Sequence, residues 1–108
     1  MALQELCFSY RPNAKLVSIP KDWSHTGVVG SGDMEVLMRR RAQSGDVRVK
    51  VLTPVKGFDE VWDKVLRKFV NDTGLYDVDI EINDNNSTPF IVAARLKQAL
   101  IEAQRGDE

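Results

Sequence analysis

The sequence predicts an α+β fold: a mostly antiparallel sheet of about five strands carrying two helices, in the order β-β-β-β-α-β-α. Three observations predict it. Residues 47–51 and 76–83 alternate apolar and polar side chains with the period of two that a half-buried strand needs. Phe58, Val61, Trp62, Val65, Leu66, Phe69 and Val70 follow the i, i+3, i+4, i+7 spacing of an amphipathic helix instead. Pro54, Gly57 and Gly74 stand where the period changes, as chain-breaking residues should.

Each element can be justified in order. Leu6, Phe8 and Tyr10 alternate with Cys7 and Ser9, a short strand that ends before Arg11-Pro12. Residues 11–24, with Pro12, Asn13, Pro20 and Asp22, read as an irregular connection, with Trp23 as a packed anchor and His25 as a surface histidine just beyond. Residues 26–30 and 34–40 read as strands, with Ser31-Gly32-Asp33 as the hairpin tip between them. Ala42-Gln43-Ser44-Gly45-Asp46 is the next turn, and Pro54 closes the strand that follows.

The first helix carries two acid-before-base pairs, Glu60 with Lys64 and Asp63 with Arg67, on its outer face. Gly74 is placed to end it in the left-handed conformation. The strand around Val78, Ile80 and Ile82 has one acidic face, and Asp84-Asn85-Asn86-Ser87 reads as a loop. Thr88 can cap the last helix with Pro89 in its first turn, where a missing N–H costs nothing. Val92, Leu96, Ala99, Leu100 and Ala103 form its buried stripe, and the chain is expected to fray at Gly106-Asp107-Glu108. The strands flanking the first helix should be parallel neighbours, which would set Arg48 and Lys50 beside Asp79 and Glu81. Both helices are expected on one face of the sheet.

Composition narrows the function. The 108 residues suit a single domain, with residues 1–24 as a strand plus irregular connection ahead of a core over 25–104. Fifteen Lys+Arg against sixteen Asp+Glu argue against binding nucleic acid or membrane lipid through bulk charge. Arg39-Arg40-Arg41 is the local exception and reads as the basic end of an exposed strand. One cysteine, Cys7, allows no internal disulfide, no apolar run approaches a membrane span, and the start does not resemble a signal peptide. A cytoplasmic location is the expectation.

Catalytic chemistry is scarce. With one histidine and one cysteine, a self-contained nucleophile–base pair is hard to assemble, and no Cys/His cluster has zinc spacing. A calcium loop starting at Asp79 would need Gly and Glu where Asp84 and Phe90 stand. This chain reads as a part of something larger.

Gly30-Ser31-Gly32-Asp33 is the remaining candidate. As a pattern it is an ordinary turn, lacking both the spacing of a nucleophile elbow and the lysine of a phosphate-binding loop. Physically, a hydroxyl at a hairpin tip projects into solvent, and flanking glycines leave room for a bulky group to approach. Asp33 can hydrogen-bond local backbone and hold the turn. Such a serine is a good acceptor for covalent attachment by another enzyme.

The segment Val28-Val29-Gly30-Ser31-Gly32-Asp33-Met34-Glu35-Val36-Leu37 resembles the surroundings of the modified serine in the acyl carrier (delta) subunits of malonate decarboxylase. The related gamma subunit of citrate lyase has a similar Ser-Gly-Asp. The strand at 48–53, the helix at 58–70, the acidic strand and Arg95-Leu96 with Ala99-Leu100 follow in the family's order, so the resemblance spans about residues 25–104.

The resemblance implies that Ser31 bears 2'-(5''-phosphoribosyl)-3'-dephospho-CoA through a phosphodiester added by a holo-carrier synthase, with Gly30, Gly32 and Asp33 supporting the turn. It implies that the distal thiol carries acetyl and malonyl. An acetyl-CoA-transferase-like subunit would then exchange acetyl for malonate, and decarboxylase subunits would release carbon dioxide. Two other readings stay open: a citrate lyase carrier, or a non-modified adaptor or RNA-binding module acting through Arg39, Arg40 and Arg41.

Overall fold

The computed structural model describes residues 3–20, 22–42 and 45–105. Its elements are β1 (Gln4–Tyr10), β2 (Trp23–Gly27), β3 (Asp33–Arg40), β4 (Val47–Thr53), α1 (Asp59–Thr73), β5 (Val78–Asn85) and α2 (Pro89–Gln104), in the expected sequence. The strands form one sheet in the order β1-β4-β5-β3-β2. β4 and β5 run parallel, in register from Val47 opposite Val78 to Leu52 opposite Asn83, with α1 as the crossover between them. The other three pairings are antiparallel.

Strict alternation decides which side of this sheet is dry. Leu6, Val51, Ile82, Val36 and Thr26 lie in one row across the five strands, all buried. On one side the next rows of this face repeat the pattern with Val49, Ile80 and Met38 and then Val47 and Val78, while on the other side Met34 lies opposite the buried Asp84. Both helices cover that face. α1 contributes Trp62, Leu66, Phe69 and Val70, and α2 contributes Val92, Leu96, Ala99, Leu100 and Ala103. At about 1.5–3 kcal/mol for each large side chain removed from water, this interface dominates the stability. The Tyr10 hydroxyl donates to Asp63 at 2.8 Å and ties α1 to the edge strand. Asp63 in turn forms the expected pair with Arg67, at 3.2 Å.

Helix ends follow their local chemistry. Thr88 caps α2 by accepting from the Ile91 N–H at 3.3 Å, with Pro89 in the first turn. Gly74 ends α1 at φ 70°, donating its N–H to Val70 at 2.8 Å. Its carbonyl accepts from both Leu16 and Val17, so the irregular stretch before β2 is laid against the end of α1, and Ile19 is buried there.

Four expectations need correcting. β2 begins at Trp23 and stops at Gly27, whereas the sequence suggested 26–30. Gly27 adopts φ +85°, and a Cβ there would stand 2.4 Å from the Met34 carbonyl oxygen, so the pleat cannot continue through it. Trp23 is no packed anchor; it faces outward opposite Arg39 and is 61% exposed. β5 starts at Val78, because Asp77 at φ 58° breaks the strand, and it runs on to Asn85. Asp84 is thus a buried strand residue, although the sequence placed it in a loop. Phe58 and Val61 belong to the apolar stripe of α1 but remain exposed, Phe58 as the residue just before the helix. Gln43 and Ser44 of the expected turn, and the fraying at residues 106–108, lie outside the described residues.

Candidate functional site

The connection between β2 and β3 is residues 28–32, longer than the three-residue tip the sequence suggested. Gly30 donates to the Val28 carbonyl at 3.0 Å, and Asp33 donates to the Gly30 carbonyl at 3.0 Å, closing a four-residue turn over 30–33. Gly32 sits third in that turn at φ +74°, a position that favours glycine. Its N–H donates to the Asn85 carbonyl at 2.8 Å, which anchors the turn to the end of β5. Ser31 stands exposed at the second position. Its hydroxyl makes no hydrogen bond among the described residues.

Asp33 is held much harder than a turn residue requires. The Arg95 guanidinium, on the second turn of α2, donates Nε to one carboxylate oxygen at 2.8 Å and Nη2 to the other at 2.5 Å. The Met34 N–H adds a third bond at 2.7 Å. The Arg95 contact first, and the Met34 N–H second, bring the Asp33 carboxyl down to about 2, while the same contact raises Arg95 above its ordinary value. Gln98 accepts from the free Arg95 Nη1 at 2.7 Å and fixes the guanidinium plane. Planar, two-point gripping of this kind sets orientation as well as distance.

The space around Ser31 is open. A Cβ on Gly32 would meet nothing within 4 Å, and one on Gly30 would meet only Val28 Cγ2, at 3.9 Å. Val28 and Val29 are 65% and 51% exposed, and Val29 lines a shallow cleft with Leu3, Leu52 and Pro54. Exposed apolar side chains thus lead into the turn, with Asn83, Asp84 and Asn85 completing the cleft beside Val29.

The other candidate features are placed elsewhere. Arg40 donates to the Pro20 carbonyl and to Asp22, both at 2.7 Å, and Arg41 pairs with Asp79 at 3.0 Å. Arg39 is at the far end of β3, about 20 Å along the strand from Asp33. The arginine run is therefore split among separate jobs. His25 bonds Glu35 at 2.7 Å on the open sheet face. Glu35 also accepts from Asn83 at 2.7 Å, and these two contacts, His25 first, hold its carboxyl below the usual range. Asp79 and Glu81, for which the sequence did not support a calcium loop, pair with Arg41 and Lys50.

Sequence reasoning singled out Ser31, Gly30, Gly32 and Asp33 but not Arg95. Arg95 entered the sequence reading only within the closing helix segment, and no local pattern could link it to Asp33, 62 positions earlier.

Chemically, the arrangement presents an unbonded hydroxyl on a turn fixed from both sides, with no base in contact with it to make it a nucleophile unaided. It defines a presenting domain, one that offers a serine to other proteins. The sequence comparisons give the particular kind. The family model for the malonate decarboxylase delta subunit (MdcD) matches residues 21–103. The malonate decarboxylase acyl carrier protein of Malonomonas rubra is 50% identical over 98% of this chain and 94% of its own length. That of Xanthomonas campestris pv. campestris (strain B100) is 41% identical over 80% and 82%. In three dimensions the chain is similar to one in a Pseudomonas malonate decarboxylase hetero-tetramer in complex with malonate, with a TM-score of 0.76, 29% identity and coverage of 93% and 98%. The chain belongs to the malonate decarboxylase delta subunit family, the acyl carriers of that enzyme.

Proposed function

We propose that this chain is the non-catalytic acyl carrier of a malonate decarboxylase and that Ser31 is where its prosthetic group is attached. The observation that carries this is the combination of a free hydroxyl and a rigidly held turn with open space around it. A dedicated transferase must take up the hydroxyl proton as the serine oxygen attacks the phosphorus of an activated donor, breaking that donor's bond to its leaving group as the new P–O bond forms. Gly30 and Gly32 admit both enzyme and group, while Asp33, pinned by Arg95, keeps the serine pointed outward.

The group implied is 2'-(5''-phosphoribosyl)-3'-dephospho-CoA, and the residues present fit a long, bulky phosphodiester at this position. When attached it supplies a thiol on which acetyl and malonyl travel as thioesters, whose carbonyl can delocalise the charge left as carbon dioxide departs. This chain's own residues present and orient; the chemistry belongs to partner subunits. The apolar side chains of Leu3, Val28 and Val29 suit docking against a transferase-like subunit and the decarboxylase subunits in turn. No helix among the described residues is long and apolar enough to cross a membrane.

Malonate is favoured over citrate because the relatives at 50% and 41% identity carry malonate decarboxylase names. An adaptor working through Arg39, Arg40 and Arg41 loses its basis, since two of the three are engaged within the chain. Intact mass after co-expression with the attaching enzymes tests the reading: a large adduct is expected on the native chain and none on Ser31→Ala. A native chain that supports malonate turnover at its bare polypeptide mass would refute it.

A further inference from the structure

A groove of about 340 Å³ opens between the first turns of α1 and α2, walled by Val61, Trp62, Val65 and Val92 and rimmed by Asn86 and Ser87. Small-molecule sites start at about this size, with mostly apolar walls and a few polar groups. The groove exists because the apolar stripe of α1 outruns what α2 covers, leaving Val61 37% and Phe58 49% exposed.

Its place in the fold is informative. Gly32 bonds the Asn85 carbonyl, and the next residue, Asn86, is on the groove rim. Chain geometry alone keeps the Ser31 and Asn86 backbones within about 14 Å of each other. Its chemistry is equally selective. Among the described residues no lysine or arginine lines it, and the carboxylate that does, Asp84, accepts from Thr53, Asn86 and Ser87. Such walls would reject phosphates and accept an uncharged chain of methyl, methylene and amide groups.

We propose that this groove shelters the uncharged, thiol-bearing end of the group carried on Ser31 between visits to partner sites. The inference rests on the attachment reading above. Covalent tethering makes the demand on affinity small, because binding of the arm's end becomes intramolecular.

The test uses the full chain with Cys7→Ser, so that the only thiol is the one on the arm, loaded by co-expression and verified by intact mass. Methyl and indole NMR signals of Val61, Val65, Val92 and Trp62 should shift between unloaded and loaded protein, while those of Leu100 and Ala103 stay put. Alkylation of the arm thiol should run roughly three- to tenfold slower than that of free pantetheine. Val61→Glu, at a partly exposed helix position, should restore the fast rate with the helical signal in circular dichroism unchanged. A loaded protein whose shifts are confined to residues 30–33 and whose thiol reacts as fast as free pantetheine overturns the groove while leaving the attachment reading intact. That outcome would also be expected if the groove instead receives a side chain of a partner subunit. A chain that acquires no mass at Ser31 under these conditions overturns both.

Discussion

Two serines sit at the same end of this molecule, each in the connection next to a strand end, and they have opposite fates. Ser87 follows Asp84-Asn85-Asn86, and both its N–H and its hydroxyl are spent on Asp84. Ser31 lies between glycines one hydrogen bond away from Asn85, and its hydroxyl is spent on nothing in the described chain. The residue type is the same and each serine has an aspartate within three positions. What separates a structural serine from a presented one is whether a buried acceptor lies within reach, and here the acceptor beside Ser31, Asp33, is occupied by Arg95.

Several substitutions would break or sharpen that contrast. The largest difference is expected between Ser31→Ala and Ser87→Ala: intact mass should show complete loss of the adduct in the first and full retention in the second. Next is Asp84→Ala, which strands the buried Thr53 hydroxyl and two loop N–H groups. At about 1–3 kcal/mol for each unpaired buried polar group, we expect a loss of about 3 kcal/mol in urea denaturation.

The glycines rank below that. Gly27→Ala meets both a positive φ and the Met34 oxygen, whereas Gly32→Ala meets a positive φ alone. We expect about 2 kcal/mol or more for Gly27 and about 1 kcal/mol for Gly32, measured the same way. Arg95→Ala should leave the adduct attainable but slow its attachment several-fold in a time course, since the serine survives and only its support is lost. The smallest effect concerns pH. The Asp33 carboxyl is lowered from 3.8 to about 2, so the stability Arg95 lends it is complete above the ordinary carboxylate range and fades as pH falls toward 2. The stability gap between native protein and Arg95→Gln should be open at pH 6 and close on acidification.

Much of this was legible in the sequence wherever periodicity and packing agree. The α2 stripe, the Thr88-Pro89 start and the parallel β4–β5 pairing all follow from local pattern, because the buried face is uniform and the alternation has no competitor. Legibility failed where one residue overrode the pattern. Val28 and Val29 favour a strand, yet Gly27 turns the chain before they can join it. Asp84 looked like loop material until Thr53 on the neighbouring strand supplied a buried donor. Trp23 looked like core, but the register with β3 assigns it to the uncovered face. The exposure of Phe58 and Val61 depends on where α2 lies, which spacing along α1 cannot reveal. Ser31 and its glycines could be picked out as candidates, while the residue that steadies them could not.

The grip of Arg95 on Asp33 also sets an order of events during biosynthesis. The β2–β3 hairpin is local and can close soon after its residues leave the ribosome, but its latch is made by a side chain 62 positions later. A nascent or truncated chain therefore displays the same ten-residue segment on an unsteadied loop. On the attachment proposed at Ser31, an attaching enzyme that requires the held turn would load finished molecules and pass over incomplete ones.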